Sequence, residues 1–172
     1  MGSLNESEIK AIVVESLASD FILQEEQRGT HPLLQDKVRI DYLAYPLPHL
    51  IMQGFDEGWF GIEVKDIGDD VKRLNKVLWQ SITYAQSTFR LEDKTIRPMF
   101  VLVCVGQNKD IMQGKLPTVW PILFSLAQYA RVGYLDLYPS WSIKFGGGRY
   151  YSKKWGKSLV TNIGMIDYIG SI

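Results

Sequence analysis

The chain has 172 residues, 46% of them hydrophobic and 22% charged, enough for one soluble domain with a substantial core and too few for two. Lys plus Arg equals Asp plus Glu at 19 each, so no net field draws the molecule to nucleic acid or membrane, and any polyanion must be met by a local basic patch. The single cysteine excludes an intramolecular disulfide and a four-thiolate metal cluster; no run approaches the roughly 18 apolar residues of a membrane span, and no basic-then-apolar leader is present, so a cytoplasmic protein is expected.

Taken in chain order, residues 3–18 predict an amphipathic helix, with Ile9, Ile12, Val13 and Leu17 at helical spacing and Ser3 or Asn5 as cap. Phe21 to Gln27 reads as a strand and Arg28-Gly29-Thr30-His31-Pro32 as a loop. Lys37 to Tyr45 alternates, with Val38, Ile40, Tyr42 and Ala44 set against Arg39, Asp41 and Leu43, which places Asp41 on a strand. Pro46 and Pro48 end that strand, Gly54 to Gly58 forms a polar turn, and Trp59 to Ile67 is a further strand. Leu74 to Phe89 has helical period, with Gln80 and Tyr84 four apart on its flank. Met99 to Val105, a continuous apolar run between Pro98 and Gly106, predicts a central strand covered on both faces. Thr118 to Arg131 predicts a second core helix ending before Gly133, Val132 to Tyr138 and Trp141 to Phe145 predict strands, and Gly146 to Gly148 a turn; the tail from Leu159 is strand or helix. Alternating strands and helices point to one α/β domain over residues 1–172, with its core at about 6–138 and a basic, aromatic hairpin and tail at 139–172.

The strand Trp59-Phe60-Gly61-Ile62-Glu63-Val64-Lys65 carries the chemistry. Alternation puts Ile62 and Val64 on one face and Glu63 and Lys65 on the other, so a carboxylate and an ammonium stand side by side in an apolar strand. Such burial is costly unless the charges are paired or hold a metal. If the strands of Asp41 and Glu63 are neighbours, the two carboxylates approach each other. Hard oxygen donors of this kind suit magnesium, which a backbone carbonyl near Val64 would help to hold, and Lys65 is placed to orient a water or stabilise a phosphorus centre. The bland alternative is a solvated strand face bearing a weak charge pair.

The order Asp41, Glu63-Val64-Lys65 and Gln80-x-x-x-Tyr84 followed by Ala85 resembles the PD-(D/E)xK nuclease superfamily, in its RecB-like or lambda-exonuclease-like branch, over about residues 6 to 105. The resemblance implies a restriction-endonuclease-like core, a central mixed β-sheet flanked by helices, and a nuclease dependent on Mg2+ or Mn2+ acting on DNA. It implies that Asp41 and Glu63 bind the metal, that Lys65 is catalytic, and that Gln80 and Tyr84 orient the site or guide the strand. It further implies a first-helix acid, for which Glu6 fits best, with Glu8 and Glu15 as substitutes and capping of Ser3 as the bland role for Glu6. The chain lacks the cysteines of the iron–sulfur members and the proline immediately before the first acid. Its small size suggests that a protein partner or a homo-oligomer sets specificity.

In the C-terminal stretch, Lys144, Arg149, Tyr151, Lys153, Lys154 and Trp155 interleave cations with aromatics, a pattern that suits phosphate neutralisation and base stacking or, equally, a hairpin edge protected by lysines. His31 and His49 lie in proline-containing loops and Cys104 in an apolar run, and none needs a catalytic role. The alternative to an enzyme is a non-catalytic nucleic-acid-binding or assembly module that retains the fold.

Overall fold

The structure is a computed structural model that describes residues 5–67, 71–105, 119–146 and 148–157. Helix α1 (Glu6–Leu17) starts at Asn5, whose side chain accepts from the Glu8 amide at 3.0 Å while the Glu8 carboxylate accepts from the Asn5 amide at 2.7 Å. This capping box satisfies two otherwise orphaned donors and commits Glu8 to the helix end. The helix buries Ile9, Val13 and Leu17, four residues apart, against the sheet.

The strands β1 (Phe21–Thr30), β2 (Lys37–Pro46), β3 (Phe60–Val64), β4 (Thr88–Leu91), β5 (Lys94–Ile96), β6 (Val101–Cys104), β7 (Val132–Asp136), β8 (Ser142–Phe145), β9 (Gly148–Ser152) and β10 (Gly156–Lys157) form one mixed sheet. Its order is β10-β9-β8-β7-β6-β3-β2-β1-β4-β5. At the centre β3, β6 and β7 run parallel, joined by helical crossovers, and the flanking pairs are antiparallel. The molecule is therefore an α/β protein with a large mixed sheet and helices on both faces.

One face carries α1 and the short α2 (Pro48–Met52), with Phe21, Phe60, Phe100, Trp141 and Tyr151 in an aromatic core. The other carries α3 (Val71–Gln86) and α4 (Val119–Ala127), which pack Leu74, Val77, Phe124 and Ala127 on Val101, Val103 and Val132. The expected central strand is thus β6, buried on both faces. Cys104 on it is 1% exposed, a buried thiol.

Several elements depart from the sequence expectation for local physical reasons. Arg28 to Thr30 is strand, because these residues pair with β2 on one side and β4 on the other. Gly29 there marks close backbone approach, since a Cβ would collide with the Thr88 carbonyl and the Phe89 ring. Pro48 opens α2, supplying the preset φ of a first helical turn, where it was expected only to end a strand. The α3 helix stops at Gln86, with Ser87 returning its hydroxyl to the Thr83 carbonyl at 2.8 Å, and Phe89 belongs to a hairpin turned by Glu92 at φ 52 without any glycine. The α4 helix continues into a 3-10 turn, Gln128–Ala130, and Arg131 at φ 60 makes the left-handed stop expected of Gly133. No helix among the described residues is long and apolar enough to cross a membrane. The expectations for the Leu159–Ile172 tail lie outside the described residues.

Candidate active site

Antiparallel pairing of β2 with β3 sets Tyr42 against Ile62, so Asp41 and Glu63 are the next cross-strand neighbours. The simple alternation expected for β2 breaks here. Ile40 and Leu43 both enter the α3-side core while Tyr42 and Ala44 enter the other, so the strand changes face at Asp41. On the neighbouring strand, Glu26 between the paired Glu25 and Gln27 has φ 54, a local twist at the same level. Strand β3 ends at Val64, and Lys65 lies just beyond it, its amide donating to the Cys104 carbonyl at 2.9 Å. The Val64 side chain is buried in the α1-side core, as expected.

Asp41 is held from two directions. Its Oδ2 accepts from the Val64 amide at 2.8 Å, and Lys10 Nζ of α1 lies 2.6 Å from its Oδ1. Glu63 is 2% exposed; Lys65 Nζ lies 3.5 Å from its Oε1, and its Oε2 has no hydrogen-bond partner among the described residues. Burial and the neighbouring charge of Asp41 push the Glu63 carboxyl well above the usual carboxylate range, against the opposing pull of Lys65. Burial acts to lower the Lys65 ammonium, but Glu63, Glu6 and Asp41 outweigh it and hold the amine charged. Lys10 follows the same balance, desolvation being overcome by Asp41, Glu6 and Glu26.

Glu6 is the first-helix acid that reaches the site, its oxygens 3.3 and 3.4 Å from Lys65 Nζ and one of them 3.6 Å from Lys10. The helix is capped by the Asn5–Glu8 box, which does not involve Glu6, and Glu15 is exposed. Lys10 is the member the sequence reading missed. Its signal was available: it lies one turn after Glu6 and beside the buried Ile9, so it flanks the sheet-facing stripe.

Gln80 donates to the Tyr84 hydroxyl along α3. Tyr84 is only 4% exposed and packs on Phe89, and burial with the nearby Glu63 pushes its phenol up to about 12. The Tyr84 ring is buried and its hydroxyl anchors Gln80. Gln80 itself lines a cleft of about 570 Å³ together with Lys65, Asp66, Arg73, Lys76 and Val77.

The C-terminal hairpin is largely committed to holding the fold together. Lys144 pairs with Asp136 at 2.7 Å, Lys153 with Asp20 at 3.0 Å, and Tyr151 is fully buried with its hydroxyl donating to Gln53 at 3.2 Å. Lys144 and Lys153 are thus ion-paired and Tyr151 is buried. Arg149 and Lys154 flank the exposed Trp155 ring at 4.6 and 4.8 Å, but β9 stands four places from β3 in the sheet. His49 binds Asp20 at 3.0 Å and His31 accepts from the Leu34 amide at 3.1 Å.

Among the described residues no three His, Cys, Asp or Glu side chains converge on one point. The donor set is therefore two carboxylates, Asp41 and Glu63, with Glu6 turned toward the lysines. That chemistry fits a hard divalent ion keeping several waters: the unpartnered Glu63 Oε2 beside a second carboxylate is what a cation would relieve. Comparisons with protein-family models, curated proteins and solved structures return no match for this chain.

Proposed function

We propose that this protein is a divalent-metal-dependent nuclease with a restriction-endonuclease-like core, hydrolysing phosphodiester bonds in DNA. The observation that carries the reading is the convergence of Asp41, Glu63 and Lys65 from adjacent strands, with a buried Glu63 oxygen that nothing among the described residues satisfies. When bound, Mg2+ or Mn2+ supplies an activated water and neutralises charge building on the phosphoryl oxygens. Asp41 and Glu63 would hold the ion, with a backbone carbonyl near Val64 as a further hard donor and Glu6 as the first-helix acid implied by the resemblance. The Val64 amide fixes the Asp41 carboxylate in place, so little reorganisation is required. Lys65, kept protonated by three carboxylates, presents its ammonium to the phosphorus centre or the attacking water. Gln80, tethered to Tyr84, lines the cleft beside it and orients what enters.

Cleavage of end-labelled linear, closed-circular and single-stranded DNA and of RNA, with Mg2+ or Mn2+, tests this. Wild type should cut and chelation should stop it, while Lys65→Ala should lose on the order of 100-fold or more. Equal activity in Lys65→Ala would remove the site assignment, and survival of circles would mark an exonuclease. One observation favours the second reading, a non-catalytic module: Lys10 already sits 2.6 Å from Asp41 and partly neutralises the site. Calorimetric titration with Mg2+ or Mn2+ decides between them, since the module should show no binding that Asp41→Asn removes.

A further inference from the structure

The two faces of the sheet segment β1, β2, β4 and β5 differ in kind. Val38, Phe89 and Ile96 pack into the α3-side core. On the opposite face, register sets Arg39 directly against Arg28, and Arg90 against Thr95. The β1–β4 register of Gly29 with Phe89 and Thr30 with Thr88 carries Arg28 to the position facing Arg90. Three arginines on three consecutive strands thus form one cross-strand row, closed by Thr95. The next row along the same face is Lys37, Thr30 and Thr88. Both rows line a single groove of about 560 Å³.

Like charges directly opposite one another destabilise a sheet, and the usual remedy is an interleaved acid. Arg39 has one, Glu26 at 2.9 Å, but Arg28, Lys37 and Arg90 are exposed with no carboxylate within ion-pair distance among the described residues. A strand face protected only against edge pairing needs its cations on the outermost strand, whereas these occupy β2 and β1 inside it. The row also begins beside the site: Arg39 is two residues from Asp41 on the same strand, roughly 7 Å along it.

We infer that this face binds the phosphate backbone of a nucleic acid and leads it to Asp41 and Glu63, the cations contacting phosphates on one side of the bond to be cut. The inference rests on the nuclease reading for its substrate. Threonine hydroxyls in both rows add donors to phosphate oxygens without reading base sequence, so this surface positions the polymer without selecting a sequence. It takes the place that the sequence pattern assigned to the C-terminal hairpin.

The test is equilibrium binding, without metal, of fluorescein-labelled single-stranded DNA, duplex DNA and RNA over a salt series, read by anisotropy. Each lost phosphate contact should lower the slope of log affinity against log salt by about 0.7 to 0.9, so the triple variant Arg28→Gln, Lys37→Gln, Arg90→Gln should lose about 2 to 3 units of slope and at least tenfold in affinity at low salt. All three substitutions are on a solvated face, and a melting temperature no lower than that of wild type confirms the fold. A strand with an uncharged methylphosphonate backbone should bind wild type and variant alike. The probe with the largest loss of slope identifies the polymer. An unchanged slope in the variant for every charged probe overturns the inference, as does equal loss with the uncharged strand. Binding that depends on the row without cleavage under Mg2+ would sink the nuclease reading alone, and cleavage with an unchanged slope would sink this one alone.

Discussion

Replacing Glu63 by Gln should stabilise the metal-free protein above neutral pH, although it removes a residue at the centre of the site. The folded protein raises the Glu63 carboxyl from an ordinary 4.5 to about 8, through burial first and the Asp41 charge second. A tenfold change in proton affinity is worth about 1.4 kcal/mol, so ionising Glu63 in the folded state has a ceiling near 5 kcal/mol. Relaxation and water entry lower such penalties, and about 2 kcal/mol is expected at about pH 8.5. The sign follows from the raised value: the folded state holds its proton more tightly, so stability is fully present below about 4.5 and declines as pH rises toward 8. The carboxamide of the Glu63→Gln variant keeps the shape and remains neutral. Urea and thermal unfolding in EDTA should show the variant gaining about 4 to 8 °C at about pH 8.5 and nothing near pH 4. Mg2+ should then stabilise wild type at the higher pH and leave the variant unmoved. A variant less stable than wild type at about pH 8.5, or a difference that does not depend on pH, would refute the argument that Glu63 is an uncompensated buried charge.

Asp20 should behave in the opposite sense. Burial tends to raise it, but hydrogen bonds from Trp141, His49 and Lys153 win and lower its carboxyl to about 2. It thus contributes about 2 kcal/mol above pH 4 that disappears as pH falls toward 2, and Asp20→Asn should flatten that part of the acid unfolding curve. Lys10→Met should tighten Mg2+ binding severalfold in calorimetry by removing the ammonium 2.6 Å from Asp41; weaker binding would show instead that Lys10 orients the carboxylate. Gly61→Ala should cost about 1 to 3 kcal/mol in urea unfolding, because the added Cβ meets the Ile40 side chain and lies 3.1 Å from Val101 Cγ2.

Local pattern made much of this protein legible. Four-residue spacing announced α1, a continuous apolar run announced the buried central strand β6, and alternation put Asp41 and Glu63 on strands with Val64 turned to the core. These are properties of one segment and its period, which nearest neighbours in sequence determine. The resemblance implied a first-helix acid, and the helical stripe pointed to Glu6 among the candidates; Glu6 lies 3.3 Å from Lys65 Nζ.

What the sequence could not determine were matters of pairing. Arg28-Gly29-Thr30 has the composition of a loop and becomes strand only because β2 and β4 lie on either side of it. The basic hairpin has the composition of a phosphate-binding surface, yet Asp136 and Asp20, the latter far away in the chain, claim Lys144 and Lys153 and leave little of its charge free. Arg28, Arg39 and Arg90 are scattered singly through the chain and acquire meaning only when the antiparallel register sets them in one row. Side-chain period is written in the chain itself, whereas which strand lies beside which is settled by the packing of the whole core, and it is there that charges become paired or remain available to a ligand.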